Sequence, residues 1–273
     1  MTLRAAGPGW LFCPADRPER FAKAAAAADV VILDLEDGVA EADKPAAREA
    51  LREAPLNPER TLVRINAAGT DEHARDLEAL ADTAYTTVML AKTESAAQVI
   101  ALAPRDVIAL IETPRGVVFA AEIAAAEGAI GMMWGAEDLV ATLGGSSSRQ
   151  ADGTYRDVAR HVRSAVLLAA SAFGRIALDA VHLDIRDIDG LRAEANDAVA
   201  VGFDGTVCIH PTQIPVVREA YRPSEEKLDW ARKVLAAART ERGVFAFEGQ
   251  MVDSPVLKHA EMMVRRARET APH

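Results

Sequence analysis

The chain has 273 residues, of which 50% are hydrophobic and 26% are charged, and its formal net charge is −10. This composition is typical of a folded globular protein with a large core, and an α/β barrel of about 250 residues counts as one domain. The acidic charge and the lack of a basic tract argue against nucleic acid or an anionic membrane as a partner.

Cysteine usage and the N-terminal residues indicate the compartment. Cys13 and Cys208 lie far apart and form no C-x-x-C motif, so we expect two buried thiols in a reducing environment. The first residues show no apolar core of a signal peptide, and no apolar run approaches the roughly 18 residues of a membrane span. We therefore expect a cytoplasmic protein.

Eight short apolar runs alternate with helical segments over residues 1–222. Most runs are continuous rather than alternating, as expected for strands covered on both faces. Eight strand–helix units predict a closed (β/α)8 TIM barrel, with an open doubly wound sheet as the alternative. No glycine-rich dinucleotide or phosphate-binding motif favours that alternative. The predicted strands are residues 10–13, 30–35, 62–65, 87–90, 107–111, 130–134, 180–183 and 206–209. The predicted helices are residues 18–28, 44–52, 71–81, 95–102, 115–126, 155–173, 191–201 and 214–221.

Residues 223–273 fall outside the eight units. Ser224 followed by two glutamates is typical of a helix start, and a last helix is predicted over residues 256–268. We expect this segment to form a helical lid over the mouth of the barrel. The predicted domains are therefore a catalytic barrel, 1–222, and a lid, 223–273.

Two carboxylates, Glu112 and Asp138, follow the fifth and sixth predicted strands. Active sites of (β/α)8 barrels lie at the C-terminal ends of the strands. Two acids on neighbouring strand ends repel each other unless a cation lies between them, and Mg²⁺ takes one or two carboxylates together with substrate and water. The sequence therefore predicts a magnesium site at Glu112 and Asp138.

Other polar residues also stand at predicted strand ends. Arg64 has a planar fork of donors suited to a carboxylate or a developing oxyanion. Glu36 and Asp37 are further catalytic candidates, although both could serve only as ion-pair partners of Arg64 or Lys92. Asp184 and His210 follow the last two predicted strands, and for these a capping or loop role is the alternative.

An aromatic residue and two cations surround the first loop and helix. Phe12, Arg17 and Lys23 predict a local anion site on an otherwise acidic protein, with a solvated helix start as the alternative.

Seven motifs in order resemble those of the citrate lyase β-subunit-like family, whose superfamily includes malyl-CoA and citramalyl-CoA lyases. The resemblance runs nearly end to end and implies a (β/α)8 barrel with a C-terminal helical lid, assembled as trimers or multiples of trimers. One departure is Ala91, where the family commonly has proline before the lysine. The motifs are F-C-P-A-D-R-P-E-R-F-A-K, L-D-L-E-D-G-V, V-R-I-N, I-E-T-P-R-G, G-A-E-D-L, I-H-P-T-Q-I and M-V-D-S-P.

The resemblance implies a role for each matching residue. Glu112 and Asp138 would bind one Mg²⁺ per subunit, and Arg64 would contact the oxo or thioester oxygen. Asp253, in the lid, would act as acid and base in the active site of a neighbouring subunit. The carboxylate of a 2-oxo acid would be held by backbone N–H groups at Ala136, Asp138 and Leu139. The coenzyme A site would be lined by Phe12, Arg17, Lys23, Ile209 and Pro211.

These roles imply a Mg²⁺-dependent carbon–carbon lyase. It would reversibly cleave a carboxylated 3-hydroxyacyl-CoA, such as citramalyl-CoA or malyl-CoA, into a short acyl-CoA and a 2-oxo acid of the pyruvate or oxaloacetate type. One alternative is the β subunit of a citrate lyase complex, acting on a citryl group carried by an acyl carrier protein. Another is a non-catalytic regulatory subunit that only binds oxo acids.

Overall fold

The structure is a computed structural model that describes residues 3–241 and 243–270. Eight parallel strands close into a barrel in chain order, each paired with its neighbours in sequence and β1 with β8. The predicted TIM barrel is confirmed. The strands are β1 (Gly9–Pro14), β2 (Val30–Asp34), β3 (Thr61–Ile65), β4 (Thr87–Leu90), β5 (Asp106–Ile111), β6 (Ala129–Trp134), β7 (Ile176–Asp179) and β8 (Gly205–Cys208).

Helices connect the strands and cover the outside of the barrel. The predicted helix over residues 115–126 divides at Phe119, where the backbone leaves the helical region at ψ 13°. The helices are α1 (Phe21–Ala27), α2 (Lys44–Glu53), α3 (Asp71–Ala81), α4 (Ala96–Ile100), α5 (Pro114–Val118), α6 (Ala120–Ala125), α7 (Ala136–Thr142), α8 (Asp157–Ala172), α9 (Ile188–Val201), α10 (Ile214–Tyr221), α11 (Glu225–Ala237) and α12 (Ser254–Glu269). In the described part of the chain, no helix combines the length and the apolar character needed to cross a bilayer.

The seventh strand was predicted four residues too late. It ends at Asp179, which is only 5% exposed and accepts hydrogen bonds from Trp134 Nε1 at 2.6 Å and Arg163 Nη2 at 2.8 Å. These partners allow a carboxylate inside the strand, whereas the apolar residues that follow lie in a loop, with Leu183 50% exposed. Asp184 therefore ends no strand, and its Oδ1 accepts the N–H of Arg186 at 2.9 Å.

Side chains fill the barrel interior in layers. Below the C-terminal mouth the interior is apolar, and one inward-facing residue of each strand belongs to the same buried cluster: Trp10, Ile32, Leu62, Met89, Leu110, Met133, Leu178 and Val207. Because strand side chains alternate between the two faces, the residue two positions further along each strand also points inward, at the C-terminal mouth. These residues include Phe12, Asp34, Arg64, Glu112 and Gly135. The fold therefore places a polar layer on top of an apolar plug.

The C-terminal segment forms two helices joined by a hairpin of β9 (Phe245–Phe247) and β10 (Gln250–Val252). The predicted helix start at Ser224 is confirmed, since its side chain accepts the N–H of Lys227 at 3.3 Å. Helices α11 and α12 pack through Ala231, Val234 and Ala260, and Val252 of β10 joins the same buried cluster. The hairpin was not predicted, because three-residue strands leave almost no pattern in a sequence.

Candidate active site at the mouth of the barrel

Arg64 is held in place by two carboxylates. Its Nε and Nη2 donate to Asp34 at 2.7 and 2.6 Å, and its Nη1 lies 3.0 Å from Glu36 Oε2. The guanidinium stacks on Phe12, 4.6 Å from the ring centroid. Burial disfavours the charged form, but the carboxylates of Asp34 and Glu36 outweigh it and raise the pKa of Arg64 above its ordinary value. Arg64 is therefore a fixed positive charge.

The sequence D-L-E-D-G explains how Asp34 can serve this purpose. Its two oxygens also accept the backbone N–H groups of Glu36 and Gly38, both at 2.9 Å. A Cβ at position 38 would lie 2.2 Å from Asp34 Oδ2, so only glycine lets this backbone approach the carboxylate.

Glu112 is a carboxyl group in a nearly dry position. It is 3% exposed, and its Oε1 accepts the backbone N–H of Lys92 at 2.9 Å. A Cβ on Gly135 would lie 2.8 Å from Glu112 Oε2, so glycine makes room for this side chain. Burial, together with the negative charges of Asp138 and Glu36, raises the pKa of Glu112 to about 8. Its environment is therefore short of positive charge.

Asp138 lies in the first turn of α7, which begins directly after β6. Its side chain is 37% exposed. The first N–H groups of a helix have no carbonyl partner within it and mark its positive end. The N–H groups of Ala136 and Asp138 belong to this turn, so a small anion beside Glu112 and Asp138 would meet backbone donors.

Lys92 joins these carboxylates and was not among the predicted site residues. Its Nζ contacts Glu36 Oε1, lies 3.1 Å from Asp37 Oδ2 and lies 3.6 Å from Asp138 Oδ1. The alternative interpretation of Glu36 and Asp37 as ion-pair partners is therefore observed, and their predicted catalytic role stays a prediction. A lysine directly after the fourth strand, facing several acidic strand ends, was the signal that could have identified it.

A cavity of about 100 Å³ lies at this position. Five residues predicted from the sequence line it: Phe12, Arg64, Glu112, Ala136 and Asp138. Leu110 and Met133 form its apolar floor. The remaining lining residues are Trp134, Gly135, Glu137, Ala180 and Val181. A larger cleft of about 820 Å³ adjoins it and shares Glu137 and Ala180 with it. The small cavity is the candidate active site.

The other predicted ligand-binding residues lie apart from this cavity. Arg17 and Lys23 are exposed around α1, and Arg17 Nε lies 3.5 Å from Asp16. The N–H of Ile209 donates to Gln213 at 2.9 Å, and Pro211 opens the short turn Pro211–Gln213. Among the described residues that line the small cavity, these four do not occur, so only a long ligand could touch both places.

His210, at a strand end, and Asp253, in the lid, both accept hydrogen bonds from nearby backbone N–H groups. The ring of His210 accepts the N–H of Thr212 at 3.3 Å, which is the loop role left open by the sequence. Asp253 caps α12, where its Oδ1 accepts the N–H of Val256 at 3.3 Å. Within the described chain, Asp253 is not one of the residues lining the cavity beside Glu112.

The sequence is similar to a known protein family and to individual members of it. Residues 9–211 match the model of the HpcH/HpaI aldolase/citrate lyase family. The chain belongs to this family. A citrate lyase subunit beta-like protein of Mycobacterium tuberculosis (strain ATCC 25618 / H37Rv) is 82% identical over 98% of both chains. The mitochondrial citramalyl-CoA lyase of Homo sapiens is 32% identical over 88% of this chain and 78% of its own length. The predicted enzyme class, a lyase, is confirmed.

Solved structures of relatives have the same fold and contain ligands. The CitE protein of Mycobacterium tuberculosis, crystallised with magnesium, acetoacetate and coenzyme A, superimposes with a TM-score of 0.92 at 82% identity. The alignment covers 97% of this chain and 99% of that one. A structure of that protein with magnesium and pyruvate has a TM-score of 0.86 at 74% identity, covering 96% and 100% of the two chains.

We expect the stability of the metal-free protein to depend on the ionisation of Glu112. Its pKa rises from the ordinary value of 4.5 to about 8 on folding, so the folded state loses stability relative to the unfolded chain as the pH rises from 4.5 to 8. Glu112→Gln removes this dependence. In EDTA, the free energy of unfolding of Glu112→Gln should rise relative to that of the parent by roughly 1 kcal/mol per pH unit between pH 4.5 and 8. Above pH 8 the difference between the two proteins should stay constant. Urea unfolding at pH 5.5, 7 and 8.5 measures the difference. If the two proteins differ in free energy of unfolding by the same amount at all three pH values, the pKa of Glu112 is not raised in the folded protein.

Proposed function

We propose that the protein is a Mg²⁺-dependent lyase that reversibly cleaves a carboxylated 3-hydroxyacyl-CoA of the citramalyl-CoA or malyl-CoA type. The products are a short acyl-CoA and a 2-oxo acid. The observation that supports this most strongly is the pair Glu112 and Asp138, which face one cavity beside a fixed guanidinium. The relatives crystallised with magnesium, oxo acids and coenzyme A also support it.

The residues at the mouth fit a magnesium ion. Glu112 supplies a buried carboxylate whose pKa is raised by burial and by the charges of Asp138 and Glu36, and Asp138 supplies a more exposed one at the same cavity. Mg²⁺ takes one or two protein carboxylates and fills its remaining positions with water and substrate oxygens. We therefore assign Glu112 and Asp138 as its ligands.

The protein offers hydrogen-bond donors for both the carboxylate and the oxo group of an oxo acid. Its carboxylate can accept the N–H groups at the start of α7, around Ala136, Asp138 and Leu139, where the helix dipole favours negative charge. Its oxo group then faces Arg64, whose guanidinium is held by Asp34 and Glu36. The apolar floor of Leu110 and Met133 excludes water from below.

Cleavage breaks the bond between the hydroxyl-bearing carbon and the carbon next to the thioester carbonyl. The hydroxyl group loses its proton to water and becomes the oxo group of the product, and the electron pair of the broken bond forms the enolate of the acyl-CoA, which takes up one proton in the next step. When bound, Mg²⁺ supplies Lewis acidity to the hydroxyl and carboxylate of the substrate. Arg64 offers charge to the developing oxyanion without reorganising, since Asp34 and Glu36 already fix it.

The enolate carbon must then receive a proton, and we assign this step to Asp253. In its own chain Asp253 caps α12 and does not line the described cavity. The lid of one subunit therefore serves a neighbouring subunit, which requires an oligomer such as a homotrimer. A closed lid also excludes water, which strengthens the interactions of charged groups in the site.

The remaining assignments concern the carrier and the cell compartment. We place coenzyme A across the barrel mouth, from Phe12 at the small cavity toward Arg17, Lys23, Ile209 and Pro211. We place the protein in the cytoplasm. A citryl group on an acyl carrier protein is the second candidate substrate, and the similarity to a citrate lyase subunit beta-like protein supports a citrate lyase type of reaction. Turnover of free acyl-CoA by the isolated protein would distinguish the two.

Asp138→Ala should abolish Mg²⁺-dependent cleavage, because it removes one of only two proposed protein ligands. The measurement is acetyl-CoA release from R and S citramalyl-CoA and malyl-CoA with added Mg²⁺. Asp157→Ala, at an exposed position on α8, is the matched control and should cleave at the parental rate. Unchanged activity in Asp138→Ala would show that the metal is held elsewhere.

Asp253→Asn should reduce kcat by about two to four orders of magnitude, because the amide cannot transfer a proton. Asparagine can still cap α12, so the fold of the lid is retained. Binding of Mg²⁺ and pyruvate, measured by calorimetry, should equal that of the parent. Full activity in Asp253→Asn would mean that another group transfers the proton.

A further inference from the structure

The backbone of Lys92 has a conformation that is rare for a residue with a side chain. Its φ is +50°, and among the described residues other than glycine only Glu248 also has a positive φ. This turn directs the N–H of Lys92 to Glu112 Oε1 at 2.9 Å, while the next N–H, of Thr93, donates to Leu110 at 3.0 Å. The backbone strain therefore serves to hold one proposed metal ligand.

The side chain of Lys92 reaches the second proposed ligand. Its ammonium lies between Glu36, Asp37 and Asp138, with Nζ 3.6 Å from Asp138 Oδ1. Glu36 is shared, since its other oxygen lies 3.0 Å from Arg64. Lys92 and Arg64 thus both place positive charge near the pair Glu112 and Asp138.

A fixed ammonium beside Asp138 has opposite effects on the binding of Mg²⁺ and on the binding of an oxo acid. It repels a divalent cation bound at Asp138, and it attracts the carboxylate of an oxo acid bound next to that cation. Glu36 and Asp37 restrain the ammonium beside Asp138, so the charge cannot move far away when a metal enters.

We propose that Lys92 sets the balance between metal and substrate affinity: its charge weakens Mg²⁺ binding to the empty site and strengthens binding of the oxo acid. This inference rests on the magnesium site proposed above. Lys92 is a positioning residue. Its backbone N–H acts on Glu112, and its side-chain charge acts on the bound Mg²⁺ and on the bound oxo acid. The arrangement keeps the metal exchangeable while the anionic substrate is retained.

The test is calorimetric titration of the full-length protein with Mg²⁺ alone, and then with pyruvate at saturating Mg²⁺. Lys92→Met removes the charge and keeps the length of the side chain. We expect Mg²⁺ to bind about 3- to 10-fold more tightly and pyruvate to bind more weakly by a similar factor. Lys92→Arg keeps the charge and should restore both affinities toward the parental values.

Two further variants separate charge from structural damage. Lys92→Gly also lacks the charge but adopts a positive φ without strain, so it should shift both affinities in the same directions as Lys92→Met even if that variant folds poorly. Lys227→Met removes an exposed lysine at the start of α11 and should change neither affinity.

The two proposals fail in different ways. If Lys92→Met and Lys92→Gly both bind Mg²⁺ no more tightly than the parent, or lose affinity for both ligands, Lys92 does not set this balance. If instead Asp138→Ala binds Mg²⁺ as the parent does, the proposed metal site itself is wrong.

Discussion

The organisation of the barrel mouth depends on holding several carboxylates close together at the end of a buried sheet. Asp34, Glu36 and Glu112 are all buried, and Asp138 lines the same cavity as Glu112. Arg64 and Lys92 offset part of this negative charge through contacts with Asp34, Glu36 and Asp138. Burial, followed by the negative charges of Asp138 and Glu36, still raises the pKa of Glu112 to about 8. A bound divalent cation would favour the charged form of Glu112.

The fold makes this arrangement possible by separating the polar layer from an apolar one. Directly below the site, Leu110 and Met133 belong to the buried cluster that fills the barrel. Charges above such a floor are poorly screened, so each ion pair and each added ligand has a larger effect than on an open surface. Gly38 and Gly135 add the necessary space, because a Cβ at either would collide with Asp34 or Glu112. Close backbone approach is therefore as much a part of the site as the acids.

Much of this could be predicted from the sequence, for identifiable reasons. Continuous apolar runs between helices indicate the strands, and carboxylates at their ends have few roles other than chemistry. The sequence therefore placed Glu112 and Asp138 together at the barrel mouth, and both line one cavity there. The seventh strand was misplaced because it ends in the buried Asp179, whose partners Trp134 and Arg163 come from other elements. The contacts of Lys92 depend on its positive φ and on partners between 20 and 56 residues away, which residue patterns do not reveal.

The most direct test of the proposed metal site is a crystal structure of the protein with Mn²⁺ and pyruvate, recorded to give the anomalous signal of manganese. We expect one anomalous peak per subunit, about 2.0–2.2 Å from oxygens of Glu112 and Asp138, with pyruvate oxygens completing its shell. A peak bound by other residues, or none at these carboxylates with pyruvate present, would contradict a metal-assisted lyase built on this pair.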